Sequence, residues 1–94
     1  MTFSKTVAKL AKLTGQEVRV NGGRGYAAYR GYAIDFLQNG AGDPALTNVA
    51  TIHVQRATEV ARPEVDYFPG SYAKTISQAV RWVNSWTAQD AVRA

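Results

Sequence analysis

The stretch from Val18 to Leu37, VRVNGGRGYAAYRGYAIDFL, constrains the fold more than any other, because it places three tyrosines, three arginines and four glycines within twenty residues. Tyrosine is a good strand former and glycine supplies turns, so the segment predicts the strand-rich middle of a small domain. From Glu17 to Asn21, Val18 and Val20 face one way and Glu17 and Arg19 the other, as in a half-buried strand. Asn21, Gly22 and Gly23 tolerate positive φ and predict a tight hairpin turn. Arg24 to Arg30 suits a second strand, and Gly31 marks a bulge or short turn before a third. In that third strand, Tyr32 to Leu37, alternation sends Tyr32, Ile34 and Phe36 to the core and Asp35 to water.

The flanks frame this centre with helices. Ser4 to Leu13 reads as a helix, with Ser4 or Thr2 as N-cap and Gly15 as its stop. Phe3, Val7, Leu10, Ala11 and Thr14 fall on one side and Lys5, Lys9 and Lys12 form a narrow stripe on the other. The lysines either keep a surface helix soluble or meet phosphate; the apolar side lacks the large residues that enter membranes well. Asn39-Gly40 is the strongest short hairpin signal in the sequence, and Gly42, Asp43 and Pro44 extend it into a loop. A last strand is expected at about Val49 to Ala57, with Ile52 and Val54 on one face and Thr51, His53 and Gln55 on the other.

Thr58 to Asp66 reads as an acidic connecting loop, and Tyr67 to Gly70 (YFPG) as a Pro-Gly turn. A second amphipathic helix is expected from about Ser71 to Trp86, with Tyr72, Ile76, Ala79, Val80, Val83 and Trp86 in its apolar stripe. The tail Gln89 to Ala94 is expected to fray. The 94 residues thus predict a single α+β domain: helix, three- to four-stranded antiparallel sheet, helix. Both helices should lie on one sheet face, leaving the other for solvent or a partner.

Composition narrows the chemistry. The chain contains no cysteine and one histidine, His53, which argues against disulfides, thiolate catalysis and cysteine- or histidine-rich metal sites. No cofactor is expected. The N-terminal run MTFSKTVAKLAKL has no continuous apolar core, so neither a signal peptide nor a membrane span is expected, and a cytoplasmic location follows. A formal charge of +4 favours an acidic partner.

Gly23 to Ala28 loosely matches the dinucleotide-binding fingerprint, with Asp43 twenty residues on, but that motif must open a helix and a strand is expected here. A better surface combines Arg24, Tyr26, Tyr29 and Arg30 with Arg19, since arginine grips phosphates and tyrosine stacks on bases. Tyr26 and Tyr29 lie on opposite faces of a regular strand, so only a bulge would bring both to that surface, and core packing is the competing reading. His53 is read as solvated and without a nucleophile, and Asp35 as isolated, so no enzyme is expected. Trp82, beside Arg81, either anchors a protein interface or closes the rim of the core.

The order of elements resembles that of double-stranded RNA-binding domains. Their lysine-rich start of the final helix is missing, because Gly70-Ser71-Tyr72-Ala73-Lys74 stands there. Tyr29-Arg30-Gly31-Tyr32, Asn39-Gly40 and Asp66-Tyr67-Phe68-Pro69-Gly70 resemble segments of small bacteriophage-encoded accessory proteins, a likeness that implies no activity. The favoured expectation is a non-enzymatic binding protein, phage-encoded if that likeness holds, whose basic and aromatic hairpin and sheet face meet nucleic acid. The alternatives are a modulator that docks on a host protein complex and a self-assembling component. No small-molecule substrate is expected.

Overall fold

The computed structural model describes residues 1–56 and 71–93, with side chains as far as Gln89. The expected acidic loop Thr58–Asp66 and the Tyr67–Gly70 turn lie outside the described residues. Helix α1 (Phe3–Thr14) leads into β1 (Arg19–Asn21), β2 (Arg24–Tyr29), β3 (Tyr32–Gln38), β4 (Val49–Arg56) and β5 (Ser71–Ala73), and α2 (Ile76–Arg93) follows. The strands form one antiparallel sheet in the order β1-β2-β3-β4-β5, so each pairs with its neighbour in sequence. The fold is α+β, as expected, with one strand more than the sequence reading allowed.

That extra strand lies where the second helix was expected to begin. Ser71, Tyr72 and Ala73 pair with Val54, His53 and Ile52, and the helix starts only at Ile76 and runs past Trp86 to Arg93. The physical reason is a helix-start signal at Thr75. The Thr75 hydroxyl accepts from the Gln78 N–H at 3.0 Å, while the Gln78 side chain reaches back to accept from the Lys74 N–H at 2.7 Å. This is close to a capping box. Tyr72, assigned by its spacing to the helix's apolar stripe, is therefore a strand residue and is 68% exposed.

At the other end, the Thr2 hydroxyl accepts from Lys5 N–H to start α1, and Gly15 ends it in a left-handed conformation with φ 68°. The long β3–β4 connection completes this cap. Phe3 and Ser4 N–H groups donate to the carbonyls of Thr47 and Pro44, which satisfies donors that a helix start otherwise leaves unpaired. Asp43 shapes that loop, its carboxylate accepting from Ala45 N–H and its carbonyl from Leu46 and Thr47 N–H. It serves a turn, and Gly23 to Ala28 forms a turn and β2 with no helix behind it, so the dinucleotide pattern lacks its required context.

The tight hairpins fall at the other two signals. Gly22 and Gly23 both have positive φ between β1 and β2, and Arg30 (φ 52°) and Gly31 (φ 82°) do so between β2 and β3. Two consecutive positive φ values define the turn whose twist matches paired strands. β2 and β3 pair without a shift from Arg24↔Leu37 to Tyr29↔Tyr32, so no bulge interrupts β2.

Both helices cover one sheet face. Phe3 and Leu10 from α1, Ala27, Ile34, Phe36, Ile52 and Val54 from the sheet, and Ile76, Ala79, Val80 and Val83 from α2 form one buried cluster. The Phe3 and Phe36 rings meet at 5.2 Å. Gly25, directly across from Phe36, is required for close approach, because a β-carbon there would collide with the Phe36 ring. The tryptophans close one margin of this core: Trp82 stacks on Trp86 at 5.8 Å, and Trp86 meets Tyr32 at 5.3 Å.

Candidate binding surface on the open sheet face

Alternation sends the other half of each strand to the face that no described element covers. Cross-strand register aligns one residue from every strand there: Arg19 pairs with Tyr26, Tyr26 with Asp35, Asp35 with His53, and His53 with Tyr72. The result is a row running perpendicular to the strands, with an arginine at one end, an exposed tyrosine at the other, and a second tyrosine next to the arginine. Neighbouring strands lie about 4.8 Å apart, so the row crosses roughly 19 Å of surface.

The middle of the row is linked. Arg24 Nη2 donates to Asp35 Oδ2 at 2.9 Å, and His53 Nδ1 lies 3.7 Å from Asp35 Oδ1. The rings of His53 and Tyr72 meet at 4.9 Å, 34° from parallel. Asp35 is thus not isolated, as the sequence reading had it. It joins Arg24 from β2 to His53 from β4, with only 14% of its side chain exposed. His53 is partly covered by the Tyr72 ring and is not simply solvated.

Charge and shape vary along the row. Arg24 is partly neutralised by Asp35, whereas Arg19 has no ion-pair partner among the described residues. Two shallow depressions of about 290 and 300 Å³ flank the Arg19–Tyr26 pair, one floored by Asn21 and Arg24 and the other by Gln16, Glu17 and Ala28. Beside the row, Leu37 on the same face is 47% exposed.

The structure divides the residues singled out from the sequence. Arg19, Arg24 and Tyr26 share the open face. Tyr29 lies on the covered face, where its hydroxyl donates to Asn84 Oδ1 of α2 at 3.0 Å. Arg30 occupies the β2–β3 turn with its guanidinium 5.2 Å from the Tyr29 ring. The regular pairing of β2 keeps Tyr26 and Tyr29 apart, so the five residues do not form one patch.

Lys5, Lys9 and Lys12 ride on α1, separated from the open face by the sheet itself. Lys9 instead lines, with Lys74, Val49, Ile52 and Ile76, a groove of about 480 Å³. Arg81 is exposed on α2, but Trp82 is half-buried against Trp86 and the core, which favours the core-rim reading of that tryptophan.

Sequence reasoning did not include Tyr72 and Asp35 in the surface. Tyr72 was hidden by a spacing that fits a helix as well as a strand. The Asp35–His53 approach depends on the register of β3 against β4, and that register shifts between Leu37 and Gln38. Among the described residues no helix is long and apolar enough to cross a membrane. No protein-family model matches the chain, and neither the curated proteins nor the solved structures yielded a match.

Proposed function

We propose that this chain is a non-enzymatic binding protein of the cytoplasm whose open sheet face takes an acidic partner, nucleic acid first. The observation that carries the reading is the in-register row Arg19, Tyr26, Asp35, His53 and Tyr72. It sets stacking rings, and a guanidinium with no ion-pair partner among the described residues, on a surface that no described element covers, in a chain with net charge +4. Aromatic rings that stack on bases, combined with cations that meet phosphates, are what nucleic-acid binding on a sheet requires.

The deciding measurement is retention of nucleic acid at low salt, followed by the salt dependence of affinity. Neutralised phosphates release counterions, so affinity should fall steeply with salt, and Arg19→Ala should lower the slope by about one unit if it holds one phosphate. Absence of binding at low salt would sink this reading.

A second reading has its own support. The Arg24–Asp35 pair makes the face less basic than the sequence suggested, and Leu37 and Tyr72 expose apolar surface beside it. Exposed aromatic and aliphatic side chains beside a charged cluster suit a protein partner. On this reading the chain is a modulator docking on a host protein complex. Capture that survives nuclease treatment and is lost in Leu37→Asp would favour it.

A further inference from the structure

We infer that the ligand of the open face is a single strand of nucleic acid laid across the β-strands, with a base edge, not a phosphate, over Asp35. This rests on the nucleic-acid reading above and adds the form of the ligand, its path and its base preference.

The path follows from the spacing of the rings. Tyr26 on β2 and Tyr72 on β5 are three strand spacings apart, about 14 Å. Bases in a duplex stack every 3.4 Å or so along each strand and hide their faces from the protein. Two platforms about 14 Å apart can therefore both be used only by bases that are unstacked and splayed, as single strands allow. Tyr72 is open enough to serve, and its ring already leans on His53, so the far end of the row presents a paired ring surface.

The placement over β3 follows from charge. Asp35 sits between the platforms, one strand from Tyr26 and two from Tyr72, and would repel a phosphate passing directly above it. Its Oδ2 is occupied by Arg24, while Oδ1 lies 3.7 Å from His53 Nδ1, beyond hydrogen-bond distance, and keeps acceptor capacity. A carboxylate over the 4-position edge of a base accepts from the exocyclic amine of cytosine, whereas thymine presents the O4 acceptor there. The backbone then runs along the margin of the row, with a phosphate at Arg19 next to Tyr26.

The test uses the full chain and fluorescein-labelled oligo(dC), oligo(dT) and a mixed-sequence duplex of equal length, read by anisotropy at low and moderate salt. Single strands should bind more tightly than the duplex, and oligo(dC) more tightly than oligo(dT) by on the order of fivefold. Tyr26→Ala and Tyr72→Ala should each weaken single-strand binding by roughly five- to a hundredfold, with unchanged circular dichroism establishing that each variant is folded. Asp35→Ala should abolish the preference for oligo(dC).

A duplex bound as well as a single strand, or full affinity in both tyrosine variants, overturns the proposed path while leaving nucleic-acid binding intact. Equal binding of oligo(dC) and oligo(dT) overturns the placement over Asp35. No binding of any oligomer at low salt removes the nucleic-acid reading itself.

Discussion

Successive residues of β3 belong to two different environments. Ile34 and Phe36 are fully buried beneath the helices, whereas Asp35 between them faces Arg24 and His53, and Leu37 is half exposed. The backbone ladder is common to both sets. On the covered face the governing quantity is volume: rings from α1 and β3 meet, and one position, Gly25, must have no side chain at all. On the open face the governing quantities are charge and hydrogen-bonding capacity. Changes on the first face should therefore appear as lost stability, and changes on the second as altered binding by a protein that still folds.

The sharpest test of that division compares neighbours in one strand. Phe36→Ala leaves a cavity against Phe3 and should destabilise by about 3 to 5 kcal/mol, read from the chemical-denaturation midpoint. Leu37→Ala, one residue on, should change stability by no more than about 0.5 kcal/mol. Similar losses at both positions would break the division. Gly25→Ala comes next. Its strand backbone accepts an alanine, but the new methyl must displace the Phe36 ring, and overpacking of this kind costs roughly 1 to 3 kcal/mol. Wild-type stability in this variant would show that the ring moves aside freely.

A smaller effect separates the two tyrosines of β2. Tyr29→Phe removes the hydrogen bond to Asn84 and should cost about 1 kcal/mol. Tyr26→Phe leaves the ring on the open face and should leave thermal stability unchanged. Unchanged stability in Tyr29→Phe would mean that the Tyr29 hydroxyl adds nothing to the docking of α2.

Much of this division could be read in advance, for reasons that differ by residue. Strand parity alone placed Tyr26 and Tyr29 on opposite faces, and Ile34 and Phe36 opposite Asp35, because side chains alternate wherever a strand is regular. The hairpins were legible because Gly22, Gly23 and Gly31 stand where positive φ is needed. The fifth strand was not, since Tyr72 also fits the spacing of the helix that follows. Thr75-x-x-Gln78 was the signal that could have moved the helix start and returned Tyr72 to the sheet. The site was less legible than the fold because it is made across strands. Joining Asp35 to His53 requires the register of β3 on β4, and the residues 39–48 between those strands, with the shift at Leu37/Gln38, leave that register undetermined by local pattern.

The smallest expected effect tests whether the open face contributes to folding at all. Asp35→Asn removes the charge that Arg24 grips, and the pair is partly exposed on the arginine side. Pairs of this type contribute roughly 0 to 1 kcal/mol, because solvent screens the attraction and ordering a long side chain opposes it. The stability difference from wild type should therefore be small at low salt. It should shrink further as ionic strength rises and the Debye length falls to about 10 Å or below. A loss as large as that from Gly25→Ala, insensitive to salt, would mean that Asp35 supports the sheet as a buried group does. The Arg24–Asp35–His53 cluster would then belong to the core, leaving Tyr26, Tyr72 and Arg19 as the adjustable part of the surface.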